Sequence, residues 1–148
     1  DGTLHVFTAS AGSVTAVATG DDLIVENSDH VGISLLSPNN KQAAIYFGDP
    51  DDNDIGQIAY QHSTNNLQFY ANAGLRMSVN STGSVQIGTA AIATNATDGF
   101  LYIPSMAGAP SGVPTDLANL SATVHDTTNN RIYFYDHVDG AWGYAGLT

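Results

Sequence analysis

The stretch that decides the fold is QIAYQHSTNNLQFY, residues 57–70, in which two short, partly apolar runs flank the polar cluster Ser63–Asn66. Runs of this length bounded by turn residues are typical of β-strands. Serine, threonine and asparagine side chains bond to nearby backbone, and asparagine tolerates positive φ, so the cluster predicts a tight turn. The stretch is therefore a predicted β-hairpin.

Similar short runs recur along the chain at a spacing of about eight to ten residues, with a turn cluster between neighbours. Glutamate and lysine, two strong helix formers, occur once each, and no window keeps a helical period. We therefore predict an all-β fold of short antiparallel strands in a meander, with one helical turn at Thr115–Leu120. The predicted strands are Leu4–Phe7, Val14–Thr19, Leu23–Glu26, Val31–Leu36, Ala44–Phe47, Gln57–Gln61, Leu67–Tyr70, Leu75–Val79, Val85–Ile87, Ala122–Asp126, Arg131–Tyr135 and Ala141–Tyr144.

A change in composition marks a domain boundary. Three of the five prolines and two glycines lie between Ile103 and Thr115. Such a segment is a semi-extended connector. We predict a β-rich body at 1–103, a Pro/Gly connector at 104–114 and a C-terminal β-hairpin module at 115–148.

Charge excludes two classes of partner. Lys41, Arg76 and Arg131 stand against 14 carboxylates, so the formal net charge is −11 and the pI is near 4.2. A nucleic-acid ligand requires a basic face, and an anionic membrane surface would repel this chain. No apolar run is long enough for a membrane helix. We expect neither nucleic-acid binding nor membrane insertion, and the absence of cysteine excludes disulfides.

Several predicted strands carry small side chains that bury little area within one chain. Val14–Thr19, for example, offers only valine and alanine to a core. Strands of this kind gain stability by packing against neighbouring chains. Because the sequence starts at Asp1 without an initiator methionine, we also expect a fragment of a longer chain or a processed product.

The order of the short motifs resembles bacteriophage tail-fibre and related virion fibre proteins. The C-terminal stretch Asp126–Tyr135, followed by Gly140–Trp142, is similar to the closing module of such fibres, although His125 replaces the usual tyrosine and Arg131-Ile132 the usual Lys-Leu. The matching motifs of the body are Ala44–Asp49, Gly56–His62, Asn66–Phe69, Leu75–Val79 and Ser81–Thr89.

The resemblance implies a homotrimeric segment of a viral fibre, with its chains aligned about a threefold axis or intertwined. Such a segment is expected to be structural and adhesive, attaching the virion to a host-cell surface glycan or protein, with a saccharide as the expected receptor. It would contact other virion proteins and lie in the extracellular fibre after synthesis in the host cytoplasm. Two alternatives stay open: a purely structural shaft or attachment protein without receptor contact, and a polysaccharide-degrading tail protein.

The loop at residues 48–56 is the strongest candidate for binding a cation. It holds Asp49, Asp51, Asp52, Asn53 and Asp54. Calcium prefers about six to eight oxygen ligands, which alternating Asp and Asn residues on a tight loop can supply. The loop is not an EF-hand, because Asp54 stands where that motif needs glycine and Tyr60 where it needs glutamate. Two interpretations stay open, a site for Ca²⁺ or another cation and a solvated turn with local side-chain bonding; neither makes a cofactor necessary.

No motif supports catalysis. The five histidines lack a zinc-binding spacing, and no nucleophile elbow, Walker or dinucleotide motif is present. We therefore predict no catalytic residue and no enzymatic activity. The histidines are His5, His30, His62, His125 and His137.

Aromatic residues near the C-terminus are the strongest candidates for binding a ligand. Tyr133 and Tyr135 share one face of a predicted strand, and Trp142 and Tyr144 share a face of the next. Cross-strand pairing would join the four into one cluster. Aromatic rings beside aspartate suit saccharides, whose C–H groups stack on rings and whose hydroxyls donate to carboxylates. The alternative is that the cluster forms a core within the module or between subunits.

Overall fold

The computed structural model describes residues 4–115 and 120–146, in which eleven β-strands form three sheets and no helix occurs. These ranges therefore contain no helix that could cross a membrane. The all-β prediction is confirmed, while the helical turn predicted at Thr115–Leu120 lies largely outside the described residues. The strands are β1 (Leu4–Phe7), β2 (Leu23–Glu26), β3 (Gln42–Phe47), β4 (Gly56–Gln61), β5 (Asn66–Ala71), β6 (Gly74–Val79), β7 (Val85–Ile87), β8 (Ser105–Met106), β9 (Thr123–Asp126), β10 (Arg131–Asp136) and β11 (Ala141–Gly146).

The chain folds as two units, residues 1–90 and 91–148. The first unit contains the β1–β2 pair and a five-stranded sheet in the order β3-β4-β5-β6-β7; the second contains a four-stranded sheet in the order β11-β10-β9-β8. This division falls earlier in the chain than the connector predicted at 104–114. Part of that connector, Ser105–Met106, is strand β8, because its backbone groups pair with the otherwise open edge of β9.

The five-stranded sheet is the antiparallel meander that the sequence predicts, since each strand pairs with the next one in the chain. Its hairpin loop at 62–65 ends in the left-handed residue Asn65, with φ of 55°. Loops of the same length at 127–130 and 137–140 end in Asn130 and Gly140, also with positive φ. The recurring polar clusters thus reflect one loop geometry used three times.

Strand register gives the five-stranded sheet two unlike faces. Arg76 is the one charged residue in the strands of this sheet. The side chains on one face, here called the apolar face, are Ala43, Ile45, Phe47, Ile58, Tyr60, Leu67, Phe69, Met77, Val79, Val85 and Ile87. The side chains on the other, here called the amide face, are Gln42, Ala44, Tyr46, Gln57, Ala59, Gln61, Asn66, Gln68, Tyr70, Ser78 and Gln86.

Side chains of the amide face shield the sheet backbone beneath them from solvent. Gln42 Nε2 donates to Gln57 Oε1 at 3.3 Å, diagonally across the cross-strand pair of Ala44 and Ala59. Ala59, which lies beside this bond, is only 1% exposed. The backbone at the centre of this face is therefore shielded by polar groups that themselves contact solvent.

The apolar face, by contrast, is left open by the part of the chain that the structure describes. Ile45, Phe47, Val85 and Ile87 are each more than half exposed. Ile58 and Tyr60, on the second strand, are also exposed. The strands β3, β4 and β7 therefore expose apolar side chains to solvent in a single chain, while the face residues of β5 and β6 are half-buried.

Two strand pairs are parallel, β1 with β2 and β8 with β9, and so depart from the antiparallel pattern. Parallel pairing requires a crossover between the strands. In the β1–β2 pair the carboxylate of Glu26 holds that crossover, because its Oε1 accepts the backbone N–H of Ala11 at 2.7 Å. Its Oε2 lies 3.0 Å from Nε2 of His5 on β1.

The segments predicted as strands at Val14–Thr19 and Val31–Leu36 are not strands. Within the described ranges neither segment pairs with a strand, and an extended segment without a pairing partner leaves its backbone groups to solvent. Their apolar side chains are exposed, Leu36 to 92%. The prediction is therefore wrong for the single chain.

The two-residue turn between β5 and β6 carries backbone strain that a substitution should relieve. Asn72 and Ala73 both have positive φ, 52° and 54°, which is disfavoured for alanine by about 1 kcal/mol. We expect Ala73→Gly to raise the free energy of unfolding by about 0.5–1 kcal/mol, measured by urea denaturation followed by circular dichroism. The control Ala71→Gly, inside β5, should lower it, and a loss of stability in Ala73→Gly would contradict the prediction.

Candidate functional site

The four aromatic residues predicted as a cluster come together in the second unit. Antiparallel register places Tyr133 on β10 opposite Tyr144 on β11, and Tyr135 opposite Trp142. The Tyr133 and Tyr144 ring centroids lie 5.3 Å apart, and those of Tyr135 and Trp142 lie 5.2 Å apart with an interplanar angle of 68°. The alternation of side chains along a strand and the pairing of the hairpin were therefore sufficient to predict that these four residues lie together.

Burial separates these four residues into two groups. Tyr133 and Tyr135 are each 4% exposed and form the core of the unit with Val124, while Trp142 is half-buried. Tyr144 is 55% exposed, and the guanidinium carbon of Arg131 lies 4.1 Å from its ring centroid. Of the predicted ligand-binding residues, Tyr144 is thus the most exposed, although the Arg131 guanidinium lies over its ring.

A segment of the predicted connector crosses the sheet on the face that carries this cluster. We call residues 107–112 the strap. At one end the backbone N–H of Gly108 donates to Asp126 Oδ1 on β9 at 2.9 Å, and at the other the carbonyl of Gly112 accepts the indole N–H of Trp142 on β11 at 2.7 Å. Because β10 lies between β9 and β11, the strap passes over the strand that carries the two buried tyrosines.

Asp126 anchors one end of the strap and the turn after β9. Its Oδ1 accepts the backbone N–H groups of Gly108, Thr128 and Asn129, and its Oδ2 accepts Nδ2 of Asn129 at 2.8 Å. The residue is fully buried. Burial alone would raise the pKa of Asp126, but these donors favour the ionised carboxylate and together lower its pKa below the ordinary value of 3.8.

The opposite face of the four-stranded sheet, here called the open face, carries Phe134 and Asp136 on β10 and Gly143 and Ala145 on β11. Phe134 is 44% exposed and pairs across the strands with Gly143, which has no side chain to cover it. The result is a cavity of about 650 Å³. Its lining residues are Ser121, Phe134, Tyr135, Asp136, His137, Val138, Gly143, Tyr144 and Ala145.

In the acidic loop at 48–56, carboxylate oxygens accept hydrogen bonds from the backbone of the same loop. Asp49 Oδ1 accepts the backbone N–H groups of Asp51 and Asp52, both at 2.9 Å, and Asp52 Oδ1 accepts that of Asp54 at 3.1 Å. A side-chain hydrogen bond with Asp52, followed by burial and repulsion, raises the pKa of Asp54 above its ordinary value of 3.8. Asn53 closes the loop against Gly48, where any side chain would clash, because a Cβ there would lie 2.6 Å from the Asn53 carbonyl oxygen.

This local bonding is what the solvated-turn interpretation predicts. Within residues 4–115 and 120–146 no group of three or more His, Asp or Glu side chains is arranged to hold a metal ion. Binding of Ca²⁺ or another cation at Asp49, Asp51, Asp52, Asn53 and Asp54 stays a prediction.

Two features of the second unit were missed by sequence reasoning. The sequence places Asp126 in a strand, as the structure does, but the bonding of its side chain was missed, although an aspartate followed by Thr-Thr-Asn is a signal for side-chain bonding to the turn backbone. The cavity was missed because it results from a side chain that is absent, at Gly143. A glycine opposite an aromatic residue on a neighbouring strand could have signalled it.

Comparisons of the chain with protein-family models, with curated protein sequences and with solved structures gave no match.

The Asp126 carboxylate should make the second unit sensitive to acid. Because the folded pKa is lowered, the stabilisation from the ionised form is fully present above about pH 4 and is lost as the pH falls through the folded pKa. We expect Asp126→Asn to lower stability at pH 7 and to reduce the further loss on acidification. Denaturant unfolding followed by fluorescence of Trp142, the one tryptophan of the chain, would measure both.

Asp139→Asn provides a matched control, because Asp139 lies in an exposed turn of the same unit and its carboxylate accepts none of the strap's bonds. It should leave both quantities nearly unchanged. Equal stability of Asp126→Asn and the native chain at pH 7 would contradict the role given to the carboxylate.

Proposed function

We propose that this chain is a structural and adhesive segment of a viral fibre, of the bacteriophage tail-fibre kind, that assembles as a homotrimer and attaches the virion to a saccharide of the host-cell surface. The protein would act by binding and support rather than by catalysis. Its site of action would be the extracellular fibre, alongside other virion proteins. The observation that carries the proposal is the amount of apolar surface that one chain leaves exposed.

The accessible surface of the chain is larger than its mass explains. One chain of 15.4 kDa exposes 11200 Å². A single compact domain of that mass would expose roughly 7,200 Å², and two separate compact domains of about 9 and 6 kDa roughly 8,600 Å². The difference of about 2,600 Å² exceeds the roughly 800 Å² per partner that a standard interface covers, and it suffices for contacts with two neighbours.

The position of the exposed surface supports the same proposal. The exposed members of the apolar face, among them Ile45, Phe47 and Ile87, together present on the order of 500 Å² of apolar area. Apolar patches of roughly 300–600 Å² are the largest on typical monomers and are often functional. A face without charges can pack against its own copies, and the choice of three copies comes from the resemblance to virion fibres.

Charge placement is compatible with such packing. Three chains together would carry three times the −11 of one chain, which would oppose assembly if carboxylates met at the interface. The strands of the five-stranded sheet carry no carboxylate, and the cluster Asp49–Asp54 is in a loop. Copies can therefore meet through the apolar face while their aspartates stay in solvent.

A charge placed in the apolar face should prevent assembly. The native chain is expected to scatter light as a particle of three times 15.4 kDa at micromolar concentration. Ile58→Asp would bury an unpaired carboxylate in the interface, at a cost of roughly several kcal/mol, and should lower the measured mass. Gln61→Asp, on the same strand but on the amide face, is the matched control and should keep the mass of the native chain.

Two results would overturn the assembly proposal. One is a native chain that is strictly monomeric at micromolar concentration. The other is an Ile58→Asp variant that keeps the native mass. The alternative of a polysaccharide-degrading tail protein is tested separately by incubating the chain with capsule polysaccharide, where the proposal expects no release of reducing ends or unsaturated products.

A further inference from the structure

The cavity on the open face of the second unit combines an accessible ring with an open space beside it. Phe134 is 44% exposed at the middle of β10, and its cross-strand neighbours are Gly143 on β11 and Thr123 on β9. Because Gly143 has no side chain, nothing on that strand covers the ring. The volume of about 650 Å³ lies within the range of about 300–1,000 Å³ found for small-molecule sites.

Polar groups line the same cavity. Asp136 follows Phe134 on the same face of β10, and its Oδ1 accepts the backbone N–H groups of Val138 and Asp139 at 2.8 and 3.3 Å. In the described ranges its Oδ2 accepts no hydrogen bond. Ser121 donates its hydroxyl proton to the Tyr135 carbonyl at 2.9 Å, which leaves the lone pairs of its oxygen available. The cavity thus offers an aromatic surface and oxygen acceptors whose positions are set by the turn and the strand.

We infer that this cavity is a binding site for a neutral saccharide, whose C–H face would lie on the Phe134 ring and whose hydroxyls would donate to Asp136 and Ser121. Hydrogen bonds to a charged carboxylate are stronger than neutral ones, which suits a ligand rich in hydroxyl donors. An anionic sugar would be repelled by Asp136 and by the net charge of −11. A protein partner would need a broader surface than this cavity gives.

This inference rests on the proposed adhesive function but replaces the residues first expected to bind. The rings of Tyr133 and Tyr135 are buried under the strap. Trp142 holds the strap through its indole N–H, so a Trp142→Ala variant would disturb the fold of the unit as well as any ligand contact. Phe134 and Gly143 lie on the opposite face and can be changed without touching the strap.

Gly143→Val provides the sharpest test, because it fills the cavity from a strand position that tolerates a side chain. A Cβ at Gly143 would meet nothing closer than the Phe134 carbonyl oxygen, at 4.0 Å, and valine suits strand geometry. The matched control is Gly146→Val on the same strand, which points to the other face, opposite Arg131, where a Cβ meets nothing within 4 Å. Phe134→Ala removes the ring itself.

The full chain and its three variants would be titrated with a panel of neutral tetrasaccharides of glucose, galactose, mannose and N-acetylglucosamine, and with uronic-acid tetrasaccharides, followed by calorimetry and NMR. We expect at least one neutral tetrasaccharide to bind. Gly143→Val and Phe134→Ala should weaken that binding about tenfold or more, and Gly146→Val should leave it unchanged. Circular dichroism and the Trp142 fluorescence verify that each variant is folded.

Three results would overturn the inference: no binding of any neutral tetrasaccharide at millimolar concentration, binding of the uronic-acid tetrasaccharides alone, or equal affinity of Gly143→Val and Gly146→Val. Light scattering on the same samples separates this inference from the fibre proposal. A trimer that binds no neutral sugar refutes the cavity site and leaves the structural role in place. A monomer whose binding is lost in Gly143→Val refutes the trimer and supports the cavity site.

Discussion

A β-sheet with one apolar face needs a second layer to cover it, and this requirement governs both units of the chain. The second unit meets it internally, because the strap at 107–112 crosses the face that carries Tyr133 and Tyr135. The first unit has a larger sheet and, among its described residues, no segment that covers the apolar face. The apolar face of the second unit is therefore covered within one chain, whereas that of the first unit is exposed.

Hydrogen bonds make a large contribution to the structure of the second unit. Its buried hydrophobic residues are few, Val124, Tyr133 and Tyr135, so burial of apolar area alone gives it a small core. Asp126 accepts four hydrogen bonds that join β9, its turn and the strap, and a buried donor left without such a partner would be costly. Because these bonds have direction, they also fix where the strap crosses the sheet, which contact between small side chains would not do.

The sequence is informative where structure depends on neighbouring residues and uninformative where it depends on distant ones. The hairpin at 57–70 and the pairing of Tyr135 with Trp142 follow from alternation and turn chemistry, which are local. Strand β8 has no pattern of its own among the prolines, since it exists only because β9 offers an edge. The burial of Tyr133 depends on the strap, and the cavity depends on the glycine opposite Phe134. The segments 14–19 and 31–36 have the pattern of strands but find no partner in one chain.

The confinement of carboxylates to loops around the five-stranded sheet has a consequence for how the chain behaves in solution. Among the described residues, β3 and β7 are the outer strands of the sheet; neither contains proline, and the one lysine near these edges is Lys41, directly before β3. The net charge of −11, carried mainly by loops, opposes close approach of two copies at these edges. Acid, which neutralises aspartates, and salt, which screens them, both weaken that repulsion. The charge that opposes self-association is thus carried by the turns, although the architecture is set by the strands.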